Sequence, residues 1–444
     1  MRCQLDTLIR RFPLGIRQAL NELPVTLDET YERTLEGIPK EKQQHTYRLL
    51  QCLVAAIRPL RIEELAAIFT IEFDTGAASN LVEELRPKNS GKAELFACST
   101  LISVIDDRGS QIVQFSHSSV KEFLTSDRFR TLDIGSNFRH HIPLDDAHTI
   151  LARACLKVLL QLDETTDTER LAKFPLAFYA ARHWVDHAKF GDVAPRVQDV
   201  MERLFEPKKP YFGAWIWIHN FESWRSRNRT MDDLLPHPSP PDTTPLYCAA
   251  FCGLIGLTKY LIVTHGEDLN AKCGRHGSPL HASSGEGHLD ITRLLLDHGA
   301  DVNLTNERGR IPLQTAYDGK HLEVMRLLLE RGADVNTQSG DRFGTLLHHA
   351  SSKGQAEIVQ LLLLHNANVN IKGFYKSTPL HLACQEERLI KVVRLLLEYG
   401  ADVEAENEAS RTPLEVATSF QRHNIVQVLL ENDTRRHGGT ISTL

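Results

Sequence analysis

TPLYCA (residues 244–249), SPLHAS (278–283), IPLQTA (311–316), TLLHHA (345–350), TPLHLA (378–383) and TPLEVA (412–417) are six versions of one phrase. They stand 34, 33, 34, 33 and 34 residues apart. Between them recur ITRLLLDHGADVN, VMRLLLERGADVN, IVQLLLLHNANVN and VVRLLLEYGADVE. Self-similarity at this period marks a stack of supersecondary units. Thr or Ser offers an N-cap oxygen, and the following Pro occupies the first helical position, where no N–H is needed. Ile291, Leu294 and Leu295, like Val324, Leu327 and Leu328, recur at i, i+3 and i+4, the apolar stripe of a second helix. Gly266, Gly299, Gly332 and Gly400 follow that helix, where a left-handed residue ends it. Asn366 takes the place in the fourth unit, and Asn tolerates that conformation better than most residues. One unit cannot bury its own apolar face, so each must stack on its neighbours.

These motifs resemble the ankyrin-repeat family over about 190 residues, from Thr244 to Asp433. The resemblance implies paired antiparallel helices joined by hairpin loops, with protein partners held by hairpin tips and the inner-helix face. Three departures stand out: Ile311 lacks the capping hydroxyl, Leu346 replaces the proline, and Asp433 replaces the closing glycine. His281, His348 and His381 belong to the repeated phrase and are expected to bond neighbouring turns.

Upstream of the repeats the pattern changes. Leu49, Leu50, Leu53 and Ile57 form an apolar helical face ended by Arg58-Pro59, and RIEELAAIF (61–69) reads as a second helix. CSTLISVID (98–106) and SQIVQFSH (110–117) alternate like two strands joined by a hairpin, and SVKEFLTSD (119–127) reads as a capped helix. Helices followed by a hairpin predict a winged-helix-like module. AHTILARACLKVLLQL (147–162), PLAFYAARHWVDHA (175–188) and VQDVMERLF (197–205) are amphipathic helices of a connector. LLPHPSPPD (234–242) is a proline-rich boundary. The expected fold is mainly α: a winged-helix-like module with a small β-hairpin over 1–142, a helical connector over 143–235, a six-repeat solenoid over 243–433 and a tail over 434–444.

LPVTLDETYERTL, RPLRIEELAAIF, FSHSSVKEFLTS and YAARHWVDHA resemble the region between the NTPase and the repeats of fungal NACHT–ankyrin proteins, over roughly residues 1–220. That resemblance implies a signalling ATPase or GTPase whose winged helix is a regulatory spacer. No GxxxxGK[ST] loop occurs, however, and Ser90-Gly91-Lys92 lacks the upstream glycine and the following hydroxyl. The chain reads as beginning just after an NTPase core, as a natural truncation or an incomplete gene model.

The 444 residues carry 42% hydrophobic and 24% charged residues and a net charge of −6, a globular composition with no general pull towards nucleic acid. A DNA-reading winged helix would need a basic third helix, whereas AELFACSTL (93–101) carries Glu94 and only Lys88 and Lys92 precede it. No apolar run approaches the roughly 20 residues of a membrane span. Eight cysteines without CxxC pairs suit reduced thiols, so a cytoplasmic location is expected, with the nucleus left open. His183 and His187 lie one helical turn apart, a zinc-compatible spacing, but Asp186 stands where metalloprotease chemistry needs Glu and no third ligand is evident. No nucleophile–base set is recognisable. We therefore expect no enzyme activity, no metal, no cofactor and no small-molecule substrate.

What remains is a surface for other proteins, expected along two strips. The hairpin tips carry Arg275, Glu307, Arg308, Arg310, Asp341, Arg342, Phe374, Tyr375, Glu408 and Arg411. The inner-helix face carries Glu286, Asp318, His349, Lys353, Gln385, Glu386 and Phe420. Phe374 and Tyr375 are the expected anchors, because aromatics and Arg dominate interface hot spots. The reading is an interaction scaffold. Its alternatives are the sensor and regulatory portion of a NACHT-type signalling NTPase whose catalytic core lies elsewhere, and a nucleic-acid-binding regulator.

Overall fold

The computed structural model describes residues 26–73, 101–107, 109–126, 141–163, 165–207, 209–219, 243–274, 276–338 and 344–436. Residues 93–100 of the expected third helix, Ser90-Gly91-Lys92, the proline-rich boundary and the tip residues Arg275, Asp341 and Arg342 lie outside the described residues. The chain divides into two compact units, Met1–Pro241 and Asp242–Leu444. Each is mainly helical.

In the first unit, helix α1 (Leu27–Glu36) is capped by Thr26, whose hydroxyl accepts from Glu29 N–H at 3.2 Å. Helix α2 (Lys40–Ala55) buries Leu49, Leu50 and Leu53 as expected. It stops before Ile57, which is exposed, and its N–H meets Tyr179 Oη at 3.3 Å. The chain turns extended at Ala56, two residues earlier than the approach to Pro59 alone requires. Strand β1 (Leu60–Arg61) leads into α3 (Ile62–Phe73). Strands β2 (Ile102–Asp107) and β3 (Ser110–Phe115) form the expected hairpin, with Val104 opposite Val113. Strand β1 adds on the far side of β3, giving an antiparallel sheet in the order β1-β3-β2. The sequence pattern did not reveal this third strand, because two residues are too few to show alternation.

Helix α4 (Ser118–Thr125) begins after His117, whose ring Nδ1 accepts from Ser119 N–H at 3.1 Å. The centre of the unit is α5 (Leu144–Leu159), which buries nine residues, Ala147 to Leu159. It packs on α2 and α3 and on the helices that follow: α6 excepted (Thr168–Leu171), these are α7 (Ala177–Ala188), α8 (Val193–Arg196), α9 (Gln198–Leu204) and α10 (Pro210–His219). Trp184, Phe205, Phe212 and Trp215 close the far side with ring centroids 5.3–6.0 Å apart. Large aromatic rings of this kind each bury a large apolar area.

The second unit is a regular stack of helix pairs. Its inner helices are α11 (Pro245–Cys252), α13 (Pro279–Glu286), α15 (Pro312–Gly319), α17 (Leu346–Lys353), α19 (Pro379–Ala383) and α21 (Pro413–Ser419). The outer helices are α12 (Ile255–Tyr260, running on into a π turn), α14 (Leu289–Asp297), α16 (Leu322–Glu330), α18 (Ala356–Leu364), α20 (Ile390–Glu398) and α22 (His423–Arg436). Gly266, Gly299, Gly332 and Gly400 have positive φ after their outer helices, and Asn366 does the same at φ 63°. Asp433 marks no such stop, since α22 runs through it to Arg436.

The other two departures are absorbed locally. Gln314 N–H, which a capping hydroxyl would have received, bonds to Ile311 O at 3.0 Å instead, and Gln314 Oε1 accepts from Ile311 N–H at 3.0 Å. Leu346 starts α17 without a proline, behind Thr345. The fifth repeat departs where no deviation was expected. Between its helices Gln385-Glu386-Glu387-Arg388 replaces the usual glycine turn, α19 is shortened and a 3₁₀ turn covers Glu387–Leu389.

Candidate functional site

The framework of the repeats fixes the surface. His281 Nε2 donates to Arg310 O at 2.9 Å, His348 Nε2 to Ser377 O at 3.0 Å and His381 Nε2 to Arg411 O at 2.9 Å. On the other side each ring faces its own cap: Nδ1 lies 2.8 Å from Ser278 Oγ, 2.9 Å from Thr345 Oγ1 and 2.8 Å from Thr378 Oγ1. This pattern suits a neutral ring with the proton on Nε2 and a lone pair on Nδ1. Burial favours the neutral form, lowering the His281 pKa to about 4 and those of His348 and His381 below the ordinary value. The expected bonding between neighbouring turns is thus present.

A second ladder was not anticipated. Asn303 Oδ1 accepts from Asp334 N–H at 2.7 Å while its amide donates to Gly332 O at 3.1 Å. Asn370 does the same one step on, at 2.7 Å to Asp402 N and 3.3 Å to Gly400 O. Asn270 and Asn336 accept from Asp301 and Asn368 N–H. The last letter of each DVN or NVN triplet is therefore the staple to the following repeat. The recurrence of Asn at that letter was the available signal.

On this frame, Glu307, Arg308, Glu408 and Arg411 are exposed at hairpin tips and Arg310 is half-buried. On the inner-helix face Asp318, Lys353, Gln385 and Phe420 are exposed, while Glu286, His349 and Glu386 are half-buried. Arg310 joins the two strips, donating to Asp318 at 2.6 Å. His349 meets the ring of Tyr317 edge-on at 6.1 Å. Phe420 lies under Arg422, whose Nε also donates to Gln385 O at 2.8 Å. Glu386 is paired with Arg388. Arg388 and Arg422 escaped the sequence reading because they follow the helices rather than sit in the repeated phrase.

Phe374 and Tyr375 form the most distinctive point. They are 47% and 66% exposed, and their rings meet edge-to-face at 4.4 Å. Tyr375 sits at φ 55°, ψ 28° and Lys376 at φ 54°, two consecutive left-handed residues without glycine. Such a conformation costs roughly 1–2 kcal/mol per L-residue and persists only where surroundings hold it. Gly373 N–H to Ser377 O at 2.9 Å closes the loop, and Glu408 N–H donates to Tyr375 O at 2.8 Å from the next hairpin. Phe374 O accepts from Ser377 N–H at 3.2 Å, so the backbone of the pair is held from within its loop and from Glu408, while the two rings meet each other. Arg308 and Arg310 lie two hairpins earlier, so the tip strip carries two separate centres.

The histidines of α7 serve packing. His187 is buried; its Nε2 is 2.9 Å from Tyr179 Oη and its Nδ1 is 2.9 Å from His148 Nδ1. Tyr179 Oη also accepts from Ile57 N–H, so Ile57, Tyr179, His187 and His148 form one chain of polar contacts. Burial lowers both pKa values, to about 3 for His187 and about 4 for His148. His183 faces Asp186 at 3.3 Å instead. Among the described residues no group of three or more His, Cys, Asp or Glu is placed to hold a metal. No helix of the described residues is long and apolar enough to cross a membrane.

Comparison with known proteins agrees with this geometry. Residues 246–339 and 347–438 match the family model described as ankyrin repeats, and residues 316–363 match a second ankyrin-repeat model. The chain is also 31% identical over 293 residues to the azaphilone pigments biosynthesis cluster protein L of Monascus ruber. That alignment covers 62% of this chain and 60% of the relative, so this chain spans well under two thirds of the relative's length. It is longer than the whole second unit and therefore reaches into the first. The stacked helix pairs, the histidine and asparagine ladders and the family match together make the second unit an array of ankyrin repeats.

Proposed function

We propose that the chain is a non-catalytic interaction protein that holds protein partners on its ankyrin-repeat surface. The observation that carries this reading is the Phe374–Tyr375 tip. An exposed aromatic pair is presented with Tyr375 in a left-handed backbone conformation, held by bonds from its own loop and from the next hairpin. Strain of that kind clusters at binding sites, and a rigid aromatic loses little entropy on docking. A stable complex buries about 800 Å² per partner, more than one repeat offers, so the inner-helix face must join the tips. The name of the Monascus relative, a pigment biosynthesis cluster protein, is compatible with an accessory role among other proteins. A photoreactive phenylalanine analogue at position 375 should cross-link a partner in extracts of the source organism. The same group at Val263, exposed on the first outer helix, should not. Equal cross-linking at both sites would overturn the reading.

A second reading keeps the chain as the sensor and regulatory portion of a NACHT-type signalling NTPase. The order helix, strand, helix and then hairpin, with β1-β3-β2 pairing, is what supports a winged-helix module in the first unit. Under either reading the purified chain should not hydrolyse ATP or GTP. A melting temperature that rises and saturates with nucleotide and Mg²⁺ would contradict both.

A further inference from the structure

The second and third repeats enclose a cavity of about 270 Å³ on the side of the tips and inner helices, walled by His276, Gly285, Arg308, Arg310, Thr315 and Asp318. Its origin lies in two small residues. Gly319 is required by packing, since a Cβ there would stand 2.4 Å from Gly285 O. Gly285 is not. It lies in α13 without a positive φ, and a Cβ would make ordinary contacts of 3.6–3.8 Å with His276 and Thr315. Glycine in a helix costs roughly 0.5–1 kcal/mol relative to alanine, yet nothing in the backbone asks for it here. A side chain at 285 would point between two walls of the cavity. The glycine keeps that space open.

The polar walls are held in place before any ligand arrives. Asn306 Oδ1 accepts from both Arg308 N–H and Arg310 N–H at 3.0 Å, and its amide donates to His276 O at 2.8 Å. Asp318 takes one guanidinium N–H of Arg310 at 2.6 Å, while the buried Nε of Arg310 has no partner among the described residues. A buried N–H left over on a charged group calls for an acceptor. Arg308 adds a second, exposed cation, so the two arginines exceed the single Asp318 carboxylate by one positive charge. The volume falls below the roughly 300–1,000 Å³ of pockets that enclose a small-molecule ligand. One side chain suits it better.

We propose that this cavity receives an Asp or Glu side chain of a protein partner, its carboxylate accepting from Arg308 and Arg310. The inference rests on the interaction reading above and names the chemistry the partner presents there. It is tested on the full chain with guanidinium-labelled arginine, following the Arg308 and Arg310 signals by NMR during titration. The probes are N-acetylglutamate amide, its glutamine counterpart and inorganic phosphate. The glutamate probe should shift both signals saturably, the glutamine probe should not, and phosphate should bind more weakly. Gly285→Leu should abolish the response, and Gly285→Ala, which fits sterically, should report that the helix tolerates substitution. Arg308→Gln, at an exposed position, should weaken the Arg310 response about tenfold, as loss of a charge-assisted bond implies. No saturable shift, equal shifts with glutamine, tighter phosphate binding, or a full response in Gly285→Leu would each overturn the carboxylate site. A null result here leaves the cross-linking at position 375 untouched, so failure of the cavity and failure of the interaction reading are separable.

Discussion

Leu328→Ala tests how the repeats are held together. Leu328 is wholly buried in α16, and its carbonyl accepts from Arg331 and Ala333 N–H at the turn that closes the third repeat. Truncation removes three carbon atoms from this site, a transfer loss of ~2.4 kcal/mol at about 0.8 per methylene. Incomplete collapse of the cavity raises the total to roughly 3–5 kcal/mol. For a unit of this size, each kcal/mol shifts the melting temperature by about 2–4 °C, so a drop of at least roughly 6 °C is expected. Stability in stacked arrays is local plus nearest-neighbour. Hydrogen exchange should therefore show lost protection in α13 to α18, with α5 and α7 of the first unit unchanged. Equal acceleration of amides in both units would refute the division into independently stabilised units. A change below about 1 kcal/mol would refute the packing argument itself.

Other expectations follow from single interactions. The histidine ladder has folded pKa values depressed below the unfolded value, so its stabilisation is present above about pH 6.5 and is lost as the pH falls below it, down to about 4 for His281. His348→Gln, copying Gln314 of the third repeat, should flatten that pH dependence in thermal melts; an unchanged slope would exclude the ring as the titrating group. Asn303→Ala should cost about 1–2 kcal/mol in denaturant melts, because two bonds to the third repeat disappear; no loss would mean water replaces them freely. Lys320 ends α15 at φ 62°, where other repeats place Gly253, Gly287 and Gly354. Lys320→Gly should stabilise the unit by about 1 kcal/mol, and destabilisation would show that its backbone is not strained.

The repeats were legible because each letter of the period answers a local demand: Pro279 opens a helix, Leu295 faces the stack, Gly299 ends the turn. Asn366 was legible for the same reason, as a residue able to take the left-handed form. What stayed hidden depends on partners distant in sequence. The bonding partners of Asn303 lie about 30 residues on, and no pattern within one repeat points to them. The strand Leu60–Arg61 exists only because Val113 and Ile112 supply its bonds. In the fifth repeat, Gln385-Glu386-Glu387-Arg388 kept the overall spacing while changing the turn, so the period concealed the irregularity. Residues of the hairpin tips and inner-helix face could be named from the period alone. Their grouping into a strained aromatic tip and an arginine-lined cavity needed the folded chain, since Tyr375 meets Glu408 across two hairpins and Asn306, which fixes Arg308 and Arg310, meets His276 from the hairpin before.

The most direct test of the interaction account compares what the intact chain and the Phe374→Ala/Tyr375→Ala double variant retain from extracts of the source organism. Both proteins are first matched for melting temperature, which these exposed positions should leave nearly unchanged or slightly raised. The account predicts a specific partner held by the intact chain and lost from the variant, with Glu408→Ala retaining most of it, since central aromatics carry more energy than rim charges. A partner that survives loss of both rings, yet disappears when the helices around His183 are altered, would move recognition to the first unit and contradict the account.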